Sequence, residues 1–177
     1  MKLYFTRHGQ TIWNVENKIC GATDIALTDL GREQARELGI RIKSDNIKID
    51  KILYSPLMRA KDTAIIISEI TGIPAFEEKR LTEQNFGKYE STPRNGAEFQ
   101  EAKKSFITHF ETGETMLHLA QRIYNLLDDV IADRDTTYLL VAHNGIARVV
   151  QSYFTDMTND EYSAYGIKNC QLLSYDI

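Results

Sequence analysis

The chain is poor in several features that mark specialised classes of protein. It has two cysteines, Cys20 and Cys170, far apart and without CxxC spacing, so we expect reduced thiols and no disulfide framework. No segment approaches the roughly 18 consecutive apolar residues of a membrane span, and the apolar run after Lys2 is too short for a secretory signal. These absences predict a soluble, cytoplasmic protein that binds no membrane.

The chain also lacks the usual signs of nucleic-acid, nucleotide and metal binding. Its 21 basic and 25 acidic residues give a net charge of −4, which argues against a nucleic-acid partner. It has neither a P-loop nor a Rossmann glycine pattern, so no nucleotide cofactor is expected. His109 and His118 have no short ligand spacing to the other histidines and no cluster of carboxylates beside them, so no metal is expected either.

The 177 residues instead have an ordinary globular composition, with 42% hydrophobic and 26% charged residues, and the length predicts a single domain over residues 1–177. Strand-like runs alternate with helix-like ones. The strand-like runs are residues 3–6, 50–54, 75–81, 137–142 and 171–175. Helical patterns cover residues 29–43 and 114–133. A further helix is predicted between a cap at Ser55-Pro56 and an end at Gly72. Two more are predicted, one in a stretch bearing Phe99, Phe106 and Phe110 and one from Ile146. We therefore predict an α/β fold with a three-layer, doubly wound, mostly parallel sheet and helices on both faces.

Two of the predicted strands end in the same way. The first runs into Arg7-His8-Gly9, and the fourth runs into His143-Asn144-Gly145. If these strands are parallel neighbours, both imidazoles emerge at one edge of the sheet, where ligands of open α/β sheets bind. The same crevice should receive Arg59, one turn into the helix that follows the second strand.

Arginines beside two histidines make an anion pocket, and a phosphate matches the guanidinium fork well. Phosphoryl transfer is the predicted reaction: Arg7, Arg59 and one imidazole can stabilise the transition state without a metal, while the other imidazole attacks. The guanidinium charges should lower the pKa of the attacking imidazole and keep it neutral. Glu83 is a candidate proton donor to the leaving group, with a pKa raised by burial and by the phosphate, although spacing alone leaves it one of several acidic residues.

These residues together resemble the histidine phosphatase superfamily, which includes the cofactor-dependent phosphoglycerate mutases. Four motifs, in the family's order along the chain, carry the resemblance. They are Arg7-His8-Gly9-Gln10-Thr11-Ile12-Trp13-Asn14 with the following Gly21 to Ala35 segment, Ser55-Pro56-Leu57-Met58-Arg59-Ala60, the set Leu81, Glu83, Phe86, Gly87 and Glu90, and Val141-Ala142-His143-Asn144-Gly145 with Arg148.

The resemblance implies a role for each matching residue. His8 would be the nucleophile that becomes phosphorylated, and Glu83 the proton donor and later the base for water. The phosphate would be held by Arg7, Arg59 and His143, helped by a hydrogen bond from Asn14 and by the backbone N–H after His143, which belongs to Asn144. Two further residues are candidates for the substrate entrance: Thr23, in the segment that continues the first motif, and Glu114, in a less specific family segment.

Departures from the family bear on substrate choice. Ser91 follows Glu90 where the family often has glycine, and residues 91–112 match no family motif, so we expect substrate specificity to lie there. The chain is shorter than typical phosphoglycerate mutases, which favours a phosphatase acting on a small phosphorylated metabolite. A phosphomutase and a non-catalytic phospholigand sensor remain alternatives, and the sequence names neither the substrate nor the oligomeric state.

Overall fold

Five strands form one central sheet in the computed structural model, which describes residues 1–177. The strands are β1 (Lys2–Arg7), β2 (Lys51–Tyr54), β3 (Ala75–Glu77), β4 (Tyr138–Ala142) and β5 (Leu172–Asp176). Their order across the sheet is β3-β2-β4-β1-β5; the first four are parallel, and β5 pairs antiparallel with β1. The predicted α/β fold with a mostly parallel sheet is confirmed.

Seven helices accompany the sheet. They are α1 (Ile12–Val15), α2 (Asp29–Ser44), α3 (Met58–Thr71), α4 (Ala97–Ala102), α5 (Met116–Ala132), α6 (Asn144–Phe154) and α7 (Asn159–Ala164), with single 3₁₀ turns at Lys79–Leu81 and Gly87–Tyr89. None of them is both long and apolar enough to cross a membrane.

The central strand β4 is buried on both faces, which explains its nearly continuous apolar sequence. Leu139 and Val141 pack with side chains of α2 and α3 on one face. Leu140 and Ala142 pack with α5 and α6 on the other. Because successive strand residues point to opposite faces, this one short strand contacts both helical layers.

The helix boundaries differ from the prediction at three places. Helix α3 begins at Met58 with Leu57 as its N-cap, so the predicted cap at Ser55 is wrong. Helix α6 begins at Asn144, two residues earlier than expected, with His143 as its N-cap. The helix expected to carry three phenylalanines is the short α4, which carries only Phe99.

The phenylalanines Phe99 and Phe110 are nonetheless buried, in a small separate cluster. Its members are Ile19, Phe86, Tyr89, Phe99 and Phe110. The rings meet edge-on or tilted, with centroids 5.4 to 5.9 Å apart. This cluster fixes much of residues 86–110 as a packed cap beside the carboxyl ends of the strands.

Candidate active site

The two histidines meet at the carboxyl edge of the sheet because β1 and β4 are adjacent and parallel. Arg7 lies opposite Ala142 in the strand register, and the backbone N–H of His8 donates to the carbonyl of Ala142 at 2.9 Å. The two strands therefore end together, and the imidazole centroids of His8 and His143 lie 5.2 Å apart. The predicted convergence of the two strand ends is confirmed.

The imidazole of His8 is held in one tautomer. Its Nδ1 lies 2.7 Å from the carbonyl oxygen of Gly9, and a carbonyl can only accept, so Nδ1 carries the proton. Nε2 therefore has a free lone pair, and His8 lines the cavity described below. Burial lowers the pKa of His8 well below 6.5, and the charges of Arg59 and Arg7 add to the shift. Neutral His8 is thus prepared as a nucleophile.

Two arginines surround this nucleophile. Arg7 donates from Nη1 to the carbonyl of Ile167 at 3.0 Å, and burial with repulsion from Arg94 lowers the pKa of Arg7 to about 10. Arg59 is fully buried and donates to the carbonyls of Thr23 at 2.9 Å and Gly21 at 2.7 Å. Neither guanidinium has a carboxylate partner, so both charges remain available to an anion.

His143 lies behind His8 and is fully buried. Its Nε2 is 2.7 Å from the hydroxyl of Ser55, which follows β2. Ser55 therefore contacts His143 instead of capping α3 as predicted. Burial, together with the charge of Arg59, lowers the pKa of His143 well below 6.5. A second neutral imidazole therefore stands next to the nucleophile.

Buried polar atoms without a hydrogen-bond partner in the protein are concentrated here. The chain has four of them: Nε of Arg7, Nε of Arg59, Nε of Arg94 and Nδ1 of His143. Leaving a buried donor unpaired is costly, on the order of 1–3 kcal/mol for each group. Two of the four residues, Arg7 and Arg94, line the cavity described below.

Glu83 reaches the site from the loop after the Lys79–Leu81 turn. The side chain is buried, and its two oxygens accept hydrogen bonds from the backbone N–H groups of Gln84 and Gly145, each at 2.9 Å. A side chain at position 145 would press its Cβ against Oε1 of Glu83. The glycine after His143-Asn144 therefore lets this carboxyl group approach the start of α6.

A cavity of about 210 Å³ opens in front of these groups. It is lined by Arg7, His8, Asn14, Glu83 and Asn144, while Arg59 and His143 lie behind its wall. Oδ1 of Asn14 accepts from the backbone N–H of Thr11 at 3.1 Å, which leaves its amide N–H group for a ligand. Oδ1 of Asn144 accepts from the backbone N–H of Ile167 at 2.9 Å. Both asparagines thus also brace the loops that frame the cavity.

Neither of the two residues expected at the substrate entrance lines this cavity. Thr23 does not line the cavity: its hydroxyl donates to Glu90 at 2.7 Å, and its carbonyl holds Arg59. Glu114 lies in a second depression, which Glu83 lines together with the cavity, and its carboxylate pairs with both Nε and Nη2 of Arg122 at 2.8 Å. Each of the two is held by contacts within the protein, and its place at the substrate entrance stays a prediction.

Sequence reasoning missed two positioning residues. Glu90, known only as a motif residue, accepts five hydrogen bonds, from the N–H groups of residues 21, 22, 23 and 86 and from the hydroxyl of Thr23, so it fixes the loop whose carbonyls hold Arg59. Asn169 donates to the carbonyl of His8 at 2.8 Å. No motif signalled Asn169, since it acts from a loop at the far end of the chain.

Sequence reasoning also missed three cations that line the cavity: Arg94, Lys103 and Arg148. Arg94 and Lys103 fall within residues 91–112, the segment expected to decide specificity, and Arg148 was noted only as part of the fourth motif. The structure contains no group of three or more histidine, cysteine, aspartate or glutamate side chains that could hold a metal ion.

The chain is similar to several known proteins in sequence and in fold. A curated protein of Erwinia tasmaniensis, "Probable phosphoglycerate mutase GpmB", is 29% identical over 184 residues, covering 99% of this chain and 85% of that protein. A solved mycobacterial glucosyl-3-phosphoglycerate phosphatase, in complex with VO3, superposes with a TM-score of 0.84 at 25% identity, over 98% of this chain and 90% of that one. TTHB049 from Thermus thermophilus superposes with a TM-score of 0.77 at 26% identity, over 99% and 94% of the two chains.

The family model that matches covers residues 3–177, nearly the whole sequence and all four motifs. With two neutral histidines at adjacent strand ends, two unpaired arginines and a buried glutamate around one cavity, this chain belongs to the histidine phosphatase superfamily (branch 1).

Proposed function

We propose that the protein hydrolyses a small phosphorylated metabolite by way of a phosphohistidine on His8, with Glu83 as proton donor and without a metal. The observation that carries this proposal is the state of His8. Its Nδ1–H is committed to Gly9, its pKa is lowered by burial and by two arginines, and its Nε2 is left as a nucleophile. A histidine that served only the structure would not need a free ring nitrogen beside two unpaired guanidinium groups.

In the first step the Nε2 lone pair of His8 attacks phosphorus, and the bond from phosphorus to the ester oxygen breaks. Arg7 and Arg59 stabilise the charge on the equatorial oxygens, with His143 as a further donor. Glu83 gives its proton to the leaving oxygen. A phosphate dianion beside Glu83 favours the protonated carboxyl group that this step needs, because two negative charges so close would repel.

In the second step water attacks the phosphohistidine. Glu83, now ionised, takes a proton from the water, the bond between phosphorus and Nε2 breaks, and inorganic phosphate leaves. His8 returns to its neutral form with Nδ1 still protonated, and Glu83 is protonated again. Each group ends the cycle in the state in which it began.

The test is phosphate release from a panel of small phosphomonoesters in the presence of a chelator. We expect turnover by the wild-type protein, acid-labile ³²P label on the protein after rapid quenching, and loss of both in His8→Ala. The exposed residue His118 provides the control variant His118→Ala, which should keep wild-type turnover. Full activity of His8→Ala, or complete inhibition by the chelator, would contradict the proposal.

A phosphomutase is the second candidate, and the observation that favours it is the mutase name of the curated relatives. Such an enzyme would return the phosphoryl group to a second hydroxyl rather than to water. Incubation with 3-phosphoglycerate separates the two, because a mutase forms the 2-phospho isomer without releasing phosphate. A protein that bound phosphate esters but turned none over would instead be a sensor.

A further inference from the structure

The cavity in front of His8 has more positive charge than one phosphoryl group requires. Four cations line it, Arg7, Arg94, Lys103 and Arg148, against a single acid, Glu83. Under the proposed function, Arg7 and the buried Arg59 serve the phosphoryl group at His8. The other three, which we call the distal cations (Arg94, Lys103 and Arg148), are left without a role.

The distal cations form no salt bridge within the protein. The salt bridges of the chain involve other lysines and arginines, including Lys104, which pairs with Glu101 immediately beside Lys103. None involves a distal cation. Charged groups that are partly buried are normally paired, and the one acid of the cavity, Glu83, forms a salt bridge with none of the three. An anion from outside would supply the missing partner.

Each distal cation is fixed in place by one backbone carbonyl. Arg94 donates from Nη2 to Lys18 at 2.9 Å, Lys103 from Nζ to Ser163 at 3.3 Å, and Arg148 from Nε to Tyr165 at 2.8 Å. These bonds orient the side chains and leave further N–H donors free.

The three side chains come from separate parts of the chain and repel one another. Arg94 precedes α4, Lys103 ends it, and Arg148 lies on α6. Burial lowers the pKa of Lys103, and the charges of Arg148 and Arg94 lower it further. Surface cations avoid this cost by turning into solvent, whereas these three are tethered around the same cavity.

We propose that Arg94, Lys103 and Arg148 form a subsite for a second anionic group of the substrate. The substrate is then a phosphomonoester that carries a carboxylate or a second phosphate in addition to the phosphoryl group that His8 receives. This inference rests on the proposed function for the assignment of the first anion to His8. The cavity, at about 210 Å³, is below the range of about 300–1,000 Å³ that is usual for drug-sized ligands, which suits a short metabolite.

Two matched pairs of esters test the subsite. Glycerol 3-phosphate and 3-phosphoglycerate differ only in a hydroxymethyl against a carboxylate group. Fructose 6-phosphate and fructose 1,6-bisphosphate differ in one phosphate. We expect kcat/KM to be at least about ten-fold higher for the member with the second anion in at least one pair, as befits a charge-assisted hydrogen bond. The pair that shows the preference identifies the second group as carboxylate or phosphate.

Variants then assign the preference to residues. In Arg94→Gln and Arg148→Gln the ratio of kcat/KM within the preferred pair should fall toward one. Lys104→Gln, which removes the neighbouring surface cation, should keep the wild-type ratio. A wild-type ratio near one in both pairs, or a ratio that neither cavity variant changes, would overturn the subsite.

Failure of the proposed function has a different signature. If no ester is turned over, calorimetric titration of the wild-type protein with the same two pairs measures the subsite by binding alone. A ten-fold preference in Kd that is lost in Arg148→Gln would support the subsite while the phosphatase proposal fell. Turnover without any preference would leave the phosphatase proposal in place and remove the subsite.

Discussion

At the scale of single residues, the two buried histidines link the catalytic site to the pH dependence of folding. The pKa values of His8 and His143 are both lowered well below 6.5 in the folded protein, chiefly by burial. In the unfolded chain each should titrate near 6.5. Below that pH the unfolded chain therefore binds two protons that the folded protein does not, and this difference favours unfolding.

We expect the two histidines to contribute a loss of unfolding free energy as the pH falls below 6.5. Each histidine lowers the unfolding free energy by about 1.4 kcal/mol for each pH unit below 6.5, until the pH reaches the pKa of that histidine in the folded protein. Urea denaturation of the wild-type protein and His8→Gln at pH 5.0 to 7.5 measures the unfolding free energy at each pH. The slope of this free energy against pH should be shallower in the variant by the contribution of one histidine. Carboxylates contribute equally to both proteins and cancel. Equal slopes in the two proteins would show that His8 titrates normally in the folded state.

At the scale of elements, the start of α6 positions the proton donor. The backbone N–H of Gly145 donates to Glu83, and no Cβ fits between them. In Gly145→Ala the carboxyl group must move, and a displacement of about 1 Å at a reacting group can cost about 100-fold in rate. We therefore expect kcat for a phosphomonoester to fall by about that factor, with a small change in the melting temperature.

Gly72 provides the matched control for that substitution. It caps the C-terminus of α3 with φ of 77°, and a Cβ there would meet nothing within 4 Å. Gly72→Ala should cost about 1 kcal/mol of stability through the left-handed backbone and leave kcat unchanged. If Gly145→Ala lost stability but kept its rate, Glu83 would not be the proton donor that this geometry supports.

The strands and helices also show how much of the structure could be predicted from the sequence. The alternation of strands and helices follows from periodicity, and the meeting of His8 with His143 follows from the rule that parallel neighbours end at one edge. The order of the five strands was not predicted. The contacts of Ser55 and Asn169 do not follow from either, because they join loops that are distant in sequence and depend on side-chain packing. Glu114 shows the same limit, since its motif-like setting gave no sign that Arg122 would hold its carboxylate.

At the scale of the whole molecule, net charge and local charge have opposite signs. The chain carries −4 overall, yet the cavity gathers Arg7, Arg94, Lys103 and Arg148 around His8. An approaching phosphate ester is repelled by the distant surface and attracted by the cavity. Since the Debye length is about 10 Å at 0.1 M salt, the charges that act at the mouth of the cavity are chiefly those that line it.

We therefore expect kcat/KM for an anionic phosphomonoester to fall as sodium chloride is raised from about 20 to 300 mM, because salt screens the attraction to the cavity more than it relieves repulsion by the surface. Initial rates below KM measure this directly. Arg148→Gln should flatten the dependence, whereas Lys104→Gln should not. A rise of kcat/KM with salt would mean that the net negative charge, rather than the cluster of cations at the strand ends, governs the encounter with substrate.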